Sequence, residues 1–168
     1  KKKLLYLAKI FMEKTDENHG LTIRDFMQEL ETLEIKVERK TFYSDVELLK
    51  EMGMDIVSHK EGAKHYYHLD SREFELAEIK MLIDVVQSAK FITEKKSNEL
   101  IKKIESLASR HQAGELQRQV YIKNRIKTMN ESVYVNVDKL NHAINTNKKI
   151  SFEYYQWNEK KELVLRDK

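Results

Sequence analysis

The sequence predicts a mainly α chain with small β elements, and three observations carry that prediction. Apolar residues recur at helical spacing through Leu4, Leu7 and Phe11, through Ile23, Phe26 and Leu30, and through Phe42, Val46 and Leu49. Two β-leaning runs, Met54–His59 and Lys64–Leu69, are joined at Glu61-Gly62. Proline is absent, so four glycines, Gly20, Gly53, Gly62 and Gly114, carry most of the punctuation, and the first three fall between these segments.

In chain order, Leu4, Leu7, Ala8 and Phe11 make a first helix ending near Lys14, and Thr15–Gly20 is a polar loop. The three lysines at the start are expected to be a solvated, frayed terminus. Thr22 is the expected N-cap of a second helix, with Asp25 at its third position and Ile23, Phe26, Met27, Leu30 and Leu33 as its apolar stripe. Glu34–Val37 is short enough to be only a turn. The third helix then presents Phe42, Val46 and Leu49 on one side. Its opposite face opens with Lys40 and Ser44, flanked by Arg39, Thr41 and Tyr43. Gly53 suits a left-handed C-cap, and the hairpin follows. Taken alone, the third helix reads most simply as an amphipathic helix with a solvated face. Helix, turn, helix and hairpin in succession make a winged helix-turn-helix, in which such a helix docks its apolar side and offers its first turns to a DNA groove.

Composition changes after Asp70-Ser71-Arg72. From Phe74 to Ala89 the helix is apolar around most of its girth, so it is either central to a helical subdomain or part of a dimer interface. Thr93 is the expected cap of the next helix, with Leu100, Ile101, Ile104 and Leu107 inward and Lys95, Lys96, Lys102 and Lys103 on a solvated outer face. Ser109–Gln119 reads as a polar connector. Val133–Val137 alternates like a short strand, after which Asp138 caps a small helix with Leu140, Ala143 and Ile144 inward. Asn147–Trp157 and Glu162–Arg166 read as two strands around an Asn158-Glu159 turn. The expected units are therefore 1–70, a helical linker and dimerisation segment at 71–130, and a third segment at 131–168.

Two stretches resemble known families. Arg39-Lys40-Thr41-Phe42-Tyr43-Ser44-Asp45-Val46-Glu47-Leu48-Leu49, with Gly53 and Ile56, is similar to the recognition-helix signature of DeoR-type winged-helix regulators of bacteria. It keeps Thr41 and Asp45 and departs at Ser44, where the family usually has Arg, which removes one cationic contact. Lys149–Tyr154 followed by Glu162–Arg166 resembles the opening hairpin of a WYL domain, a small Sm-like β-barrel that follows this kind of winged helix. The Trp-Tyr-Leu triplet itself is not in the chain. Since a lone hairpin cannot bury its own apolar face, the expectation is that the chain is a fragment. The resemblance implies that a full WYL domain binds an effector, often a nucleotide or nucleic acid, and couples it to operator affinity.

Net charge is only +3, so any affinity for nucleic acid depends on where charges sit rather than on bulk charge. There is no cysteine, hence no disulfide and no thiolate metal site. No apolar run approaches a membrane span, and Lys1-Lys2-Lys3 is not followed by a signal-peptide core. His65 and His68 are three apart on a strand and point to opposite faces, so wing histidines touching phosphate or water are a better account than a metal site. No glycine-rich phosphate loop, His-Glu-x-x-His motif or set nucleophile is present. The expectation is a cytoplasmic, nucleoid-associated bacterial transcription regulator, with no enzymatic activity and no cofactor, that binds double-stranded DNA as a homodimer. Lys40, Thr41 and Ser44 would face base edges, Arg39 and Tyr43 flanking phosphate, and Lys60, Lys64 and His65 the neighbouring backbone. Two rivals stand beside it: a winged helix serving as a protein-interaction module, and an accessory domain of a nucleic-acid-processing system.

Overall fold

A computed structural model describes residues 2–119 and 127–166. The chain is mainly helical, with two small antiparallel sheets. Helices α1 (Lys2–Lys14), α2 (Ile23–Glu31) and α3 (Arg39–Glu51) are followed by a hairpin of β2 (Ile56–Glu61) and β3 (Lys64–Leu69). A two-residue strand β1 (Leu21–Thr22) precedes α2 and completes a sheet of order β1-β3-β2, with Leu21 opposite Tyr67 and Ile56 opposite Leu69. Then come α4 (Leu76–Ser88), α5 (Glu94–Glu105), α6 (Arg110–Gln119), α7 (Ser132–Asn145) and the hairpin β4 (Tyr155–Trp157) and β5 (Leu163–Leu165).

The first apolar core is built from the predicted stripes. Leu7, Ile10 and Phe11 of α1 meet Ile23, Phe26 and Leu30 of α2 and Phe42, Val46 and Leu49 of α3, with Ile56 and Leu69 closing it from the sheet. Phe11, Phe26, Phe42 and Tyr67 form a chain of ring contacts at centroid separations of 4.4, 5.3 and 5.4 Å. Leu33 is the exception to the α2 stripe. Its side chain is exposed because α2 ends at Glu31 and Glu34 takes a left-handed φ of 58°, turning the chain so that Ile35 and Val37 reach the core instead. Gly53, at φ 95°, ends α3 as expected. Of the amino-terminal lysines, Lys3 is better tied down than expected. Lys3 pairs with the buried carboxylate of Asp45, fastening α1 to α3, while Lys1 lies outside the described residues.

A second, separate core gathers Ile79 and Ile83 of α4, Ile101 of α5, Ala108 of the α5–α6 turn and Leu116 of α6. Thr93 caps α5, its hydroxyl accepting from the Lys96 N–H at 3.2 Å. Leu107 falls beyond α5 and is exposed. The expected connector at Ser109–Gln119 is instead helix α6. Ser109 and Gln112 form a reciprocal cap: the Gln112 N–H donates to Ser109 Oγ (3.1 Å) and the Ser109 N–H to Gln112 Oε1 (3.3 Å).

The expected strand at Val133–Val137 is likewise helical, and Asp138 lies inside α7 rather than capping it. Val133, Val137, Leu140 and Ile144 fit a helical stripe as well as Val133–Val137 fits an alternation, and the longer pattern prevails over β-branched propensity. In the terminal hairpin only Tyr155–Trp157 and Leu163–Leu165 form a ladder, shorter than the two expected strands. Its turn is held by Asn158 Oδ1, which accepts from the Lys160 and Glu162 N–H groups at 2.9 Å. Both faces of this hairpin are exposed. No helix among the described residues is long and apolar enough to cross a membrane.

Candidate nucleic-acid interface

Helix α3 sorts its residues cleanly. Phe42, Asp45, Val46 and Leu49 are buried, and Arg39, Lys40, Tyr43, Ser44 and Glu47 are exposed. Its first turn is held from below, since no side chain caps it at Glu38. The Thr41 hydroxyl donates to the Glu38 carbonyl at 2.8 Å and the Ser44 hydroxyl to the Thr41 carbonyl at 3.0 Å. Thr41 is therefore half-buried with its proton committed, and it presents less to a partner than the sequence alone suggests. Ser44 is exposed and keeps lone pairs free to accept.

On the hairpin, Lys60 stands opposite His65 and Glu61 opposite Lys64, all four exposed. Residues directly opposite in an antiparallel pair share a face, so Lys60 and His65 lie on the side of Tyr67 and the core, with Lys64 on the other. His68 does not join them. It is buried, with Nε2 3.2 Å from Asp70 Oδ1 and its ring edge-on to His59, so the expectation that the hairpin histidines meet phosphate or water does not hold for His68.

A groove of about 1090 Å³ runs between α2, the start of α3 and the tip of β3. It is lined by Arg39 and Tyr43 of α3, by Lys64 and His65 of β3, and by Arg24 and Gln28 of α2. Four of the expected site residues thus meet around one space, while Lys40 and Ser44 sit on the outer face of α3, outside its lining. Arg24 and Gln28 join the groove without having been expected there. Their spacing of four, on the side of α2 away from Ile23, Phe26 and Leu30, is the signal the sequence offers for them.

The groove's geometry is fixed by its neighbours. Thr22 and Asp25 complete a capping box at the start of α2: the Thr22 N–H donates to Asp25 Oδ2 at 2.8 Å, and the Asp25 N–H donates to Thr22 Oγ1 at 3.3 Å. That occupies the Asp25 carboxylate, leaving Glu31 as the other acid facing the cations Arg24, Arg39 and Lys64. Burial, reinforced by the adjacent Tyr43 phenol and opposed by Arg39, pushes the Tyr67 hydroxyl above its ordinary titration range. It stays protonated and holds Tyr43 in place as a neutral partner.

Comparison of the chain with family models, with curated proteins and with solved structures returns no match.

What remains is the chemistry of the surface itself. It offers guanidinium, ammonium and phenolic donors around one groove, beside an exposed helix start bearing Lys40 and Ser44. Among the described residues, no three His, Asp or Glu side chains converge to hold a metal ion.

Proposed function

We propose that the chain is a sequence-specific DNA-binding transcription regulator of the cytoplasm, its residues 1–70 a winged helix-turn-helix of DeoR type. In this reading α3 is the recognition helix and the β2–β3 hairpin the wing. The observation that carries it is the division of α3. A fully buried Phe42, Val46, Leu49 stripe pins the helix to the body, while its exposed first turns and the hairpin cations flank one groove. Lys40 and Ser44 face base edges; Arg39, Tyr43, Lys64, His65 and Arg24 hold the phosphate backbone, with Lys60 beside His65.

Residues 71–130 act as a helical linker, and α4 supplies a homodimer contact. The two-faced exposure of β4–β5 supports the beginning of an Sm-like WYL barrel, which would bind a nucleotide or nucleic-acid effector. No enzymatic step is assigned to the chain.

A protein-interaction role is the second reading, and one observation favours it. The latter half of α3 and its C-cap expose Leu48 and Met52 beside Glu47 and Glu51, a surface unsuited to phosphate. The two readings separate on a duplex enriched from a random pool by the wild-type protein. Replacing Lys40 and Ser44 together by alanine should weaken binding by about 1–3 kcal/mol for each base interaction removed, while leaving the fold intact. Undiminished affinity in the double variant contradicts the docking assignment.

A further inference from the structure

The two apolar cores share no residue, and polar bonds span their junction. These bonds converge on the loop between α1 and β1. Asp16 is 1% exposed, and its carboxylate takes hydrogen bonds from the Ser109 hydroxyl, from the Asn18 N–H at 3.0 Å and from His19 Nδ1 at 2.7 Å. Ser109 is also the residue that caps α6, so one hydroxyl links the start of α6 to the loop. Two residues along, His111 lies flat on His19, with ring centroids 3.9 Å apart and planes 3° from parallel. Arg110 reaches Glu13 of α1 at 3.0 Å, and Arg72 donates to the Thr15 carbonyl at 2.6 Å.

We propose that the His19–His111 stack, seated on Asp16, is an acid-sensitive latch that holds α6 against the amino-terminal unit. Imidazole is the side chain that changes charge between about pH 5 and 8. Asp16 supports one positive ring, because His19 Nδ1 faces its carboxylate. With one proton on the pair, a neutral ring stacks on a charged one, which is an attractive arrangement. A second proton puts two cations face to face, and no salt bridge among the described residues serves His111.

The other charges around the stack do not relieve this. On α1, Glu13 is engaged by Arg110; on the loop, Glu17 accepts from the Asn18 amide; beyond β3, Arg72 adds positive charge facing Asp16. His59 of β2 lies close to Gly20, the residue after His19. The Asp16 carboxyl is held below its ordinary range: burial pushes it up, but the bonds from Ser109, His19 and Asn18 outweigh that. Asp16 therefore stays ionised down to mildly acidic pH.

Opening the latch matters beyond α6. Thr15, next to Asp16, receives the Leu69 N–H of β3 on its hydroxyl at 3.0 Å, and β3 carries the hairpin tip. Release of α6 thus loosens the loop that braces the sheet. The latch itself stands whether or not the groove binds DNA.

The chain has no cysteine, so two can be introduced at exposed Lys9 of α1 and Glu115 of α6 and spin-labelled for distance measurement. At pH 7.5 the doubly labelled protein should show one short distance, and at pH 5.0 a second, longer population of at least a third of the molecules. His111→Gln, which stacks without gaining charge, should keep the short distance at both values. An unchanged distance distribution on acidification of the wild type overturns the proposal, as does an acid response that survives in His111→Gln.

Discussion

Phe42→Ala tests whether the apolar stripe of α3 holds that helix on the body. Phe42 is fully buried and its ring lies 5.3 Å from Phe26 and 5.4 Å from Tyr67, centroid to centroid. Truncating a buried phenylalanine removes its transfer energy and leaves a cavity, a loss of about 3–5 kcal/mol. A unit of some seventy residues has roughly 4–10 kcal/mol of total stability, so most of it goes with this one ring. In a domain of that size each kcal/mol moves Tm by about 4–8 °C, which makes the expected drop at least about 12 °C. Thermal unfolding followed by circular dichroism gives the number, and amide exchange in α3 shows that the loss is local to it. The adjacent Tyr43→Ala is the control: Tyr43 is 45% exposed and should cost about 1 kcal/mol or less, in the range of surface substitutions. A Phe42→Ala protein that melts within about 5 °C of wild type would refute the packing argument.

Dimerisation is best probed at Val85. Ile83 is fully buried in the second core and Val85 is 63% exposed on α4, so Ile83→Glu should unfold the helical unit. Val85→Glu should instead leave melting unchanged and shift a sedimenting dimer toward monomer; an unaltered sedimentation coefficient would remove α4 from the interface. Acid stability offers a separate check on Asp16. Its folded value lies below its unfolded one, so its contribution is full above about pH 4 and fades as pH falls through the folded value. Urea midpoints of wild type and Asp16→Asn should therefore converge on acidification below about pH 4, and a gap that widens there would contradict the assigned direction.

Much of residues 1–70 is legible in the sequence because each helix there has a one-sided stripe and each break but the α2–α3 turn has a glycine or a cap. Phe42, Val46 and Leu49 are buried as their spacing requires, and Thr22 with Asp25 forms the capping box its pattern suggests. Strand β1 is invisible at that level because two residues carry no periodicity. Helix α6 is masked by its polar composition and Gly114, although Ser109 and Gln112 mark its start. In α7 the valines favour a strand, and the longer helical register prevails over them. Of the site, the exposed start of α3 and the hairpin cations are readable from the sequence. For Arg24 and Gln28 the sequence shows only a shared outer face of α2, since the fold alone brings that face beside the β3 tip. The Asp16–Ser109 junction spans 93 residues and has no local signature at all.

The central claim is that a chain of small net charge binds DNA through cations placed around one groove and one helix start. Its most direct test is the salt dependence of binding to the selected duplex. A dimer that neutralises roughly six phosphates should give a log–log slope near −5 and lose about a thousandfold in affinity between 50 and 200 mM salt. Alanine at Arg24 or at Lys64 should flatten that slope by about one for each phosphate left unneutralised. A wild-type slope near zero would contradict the claim, because no arrangement of these residues on a phosphate backbone could produce it.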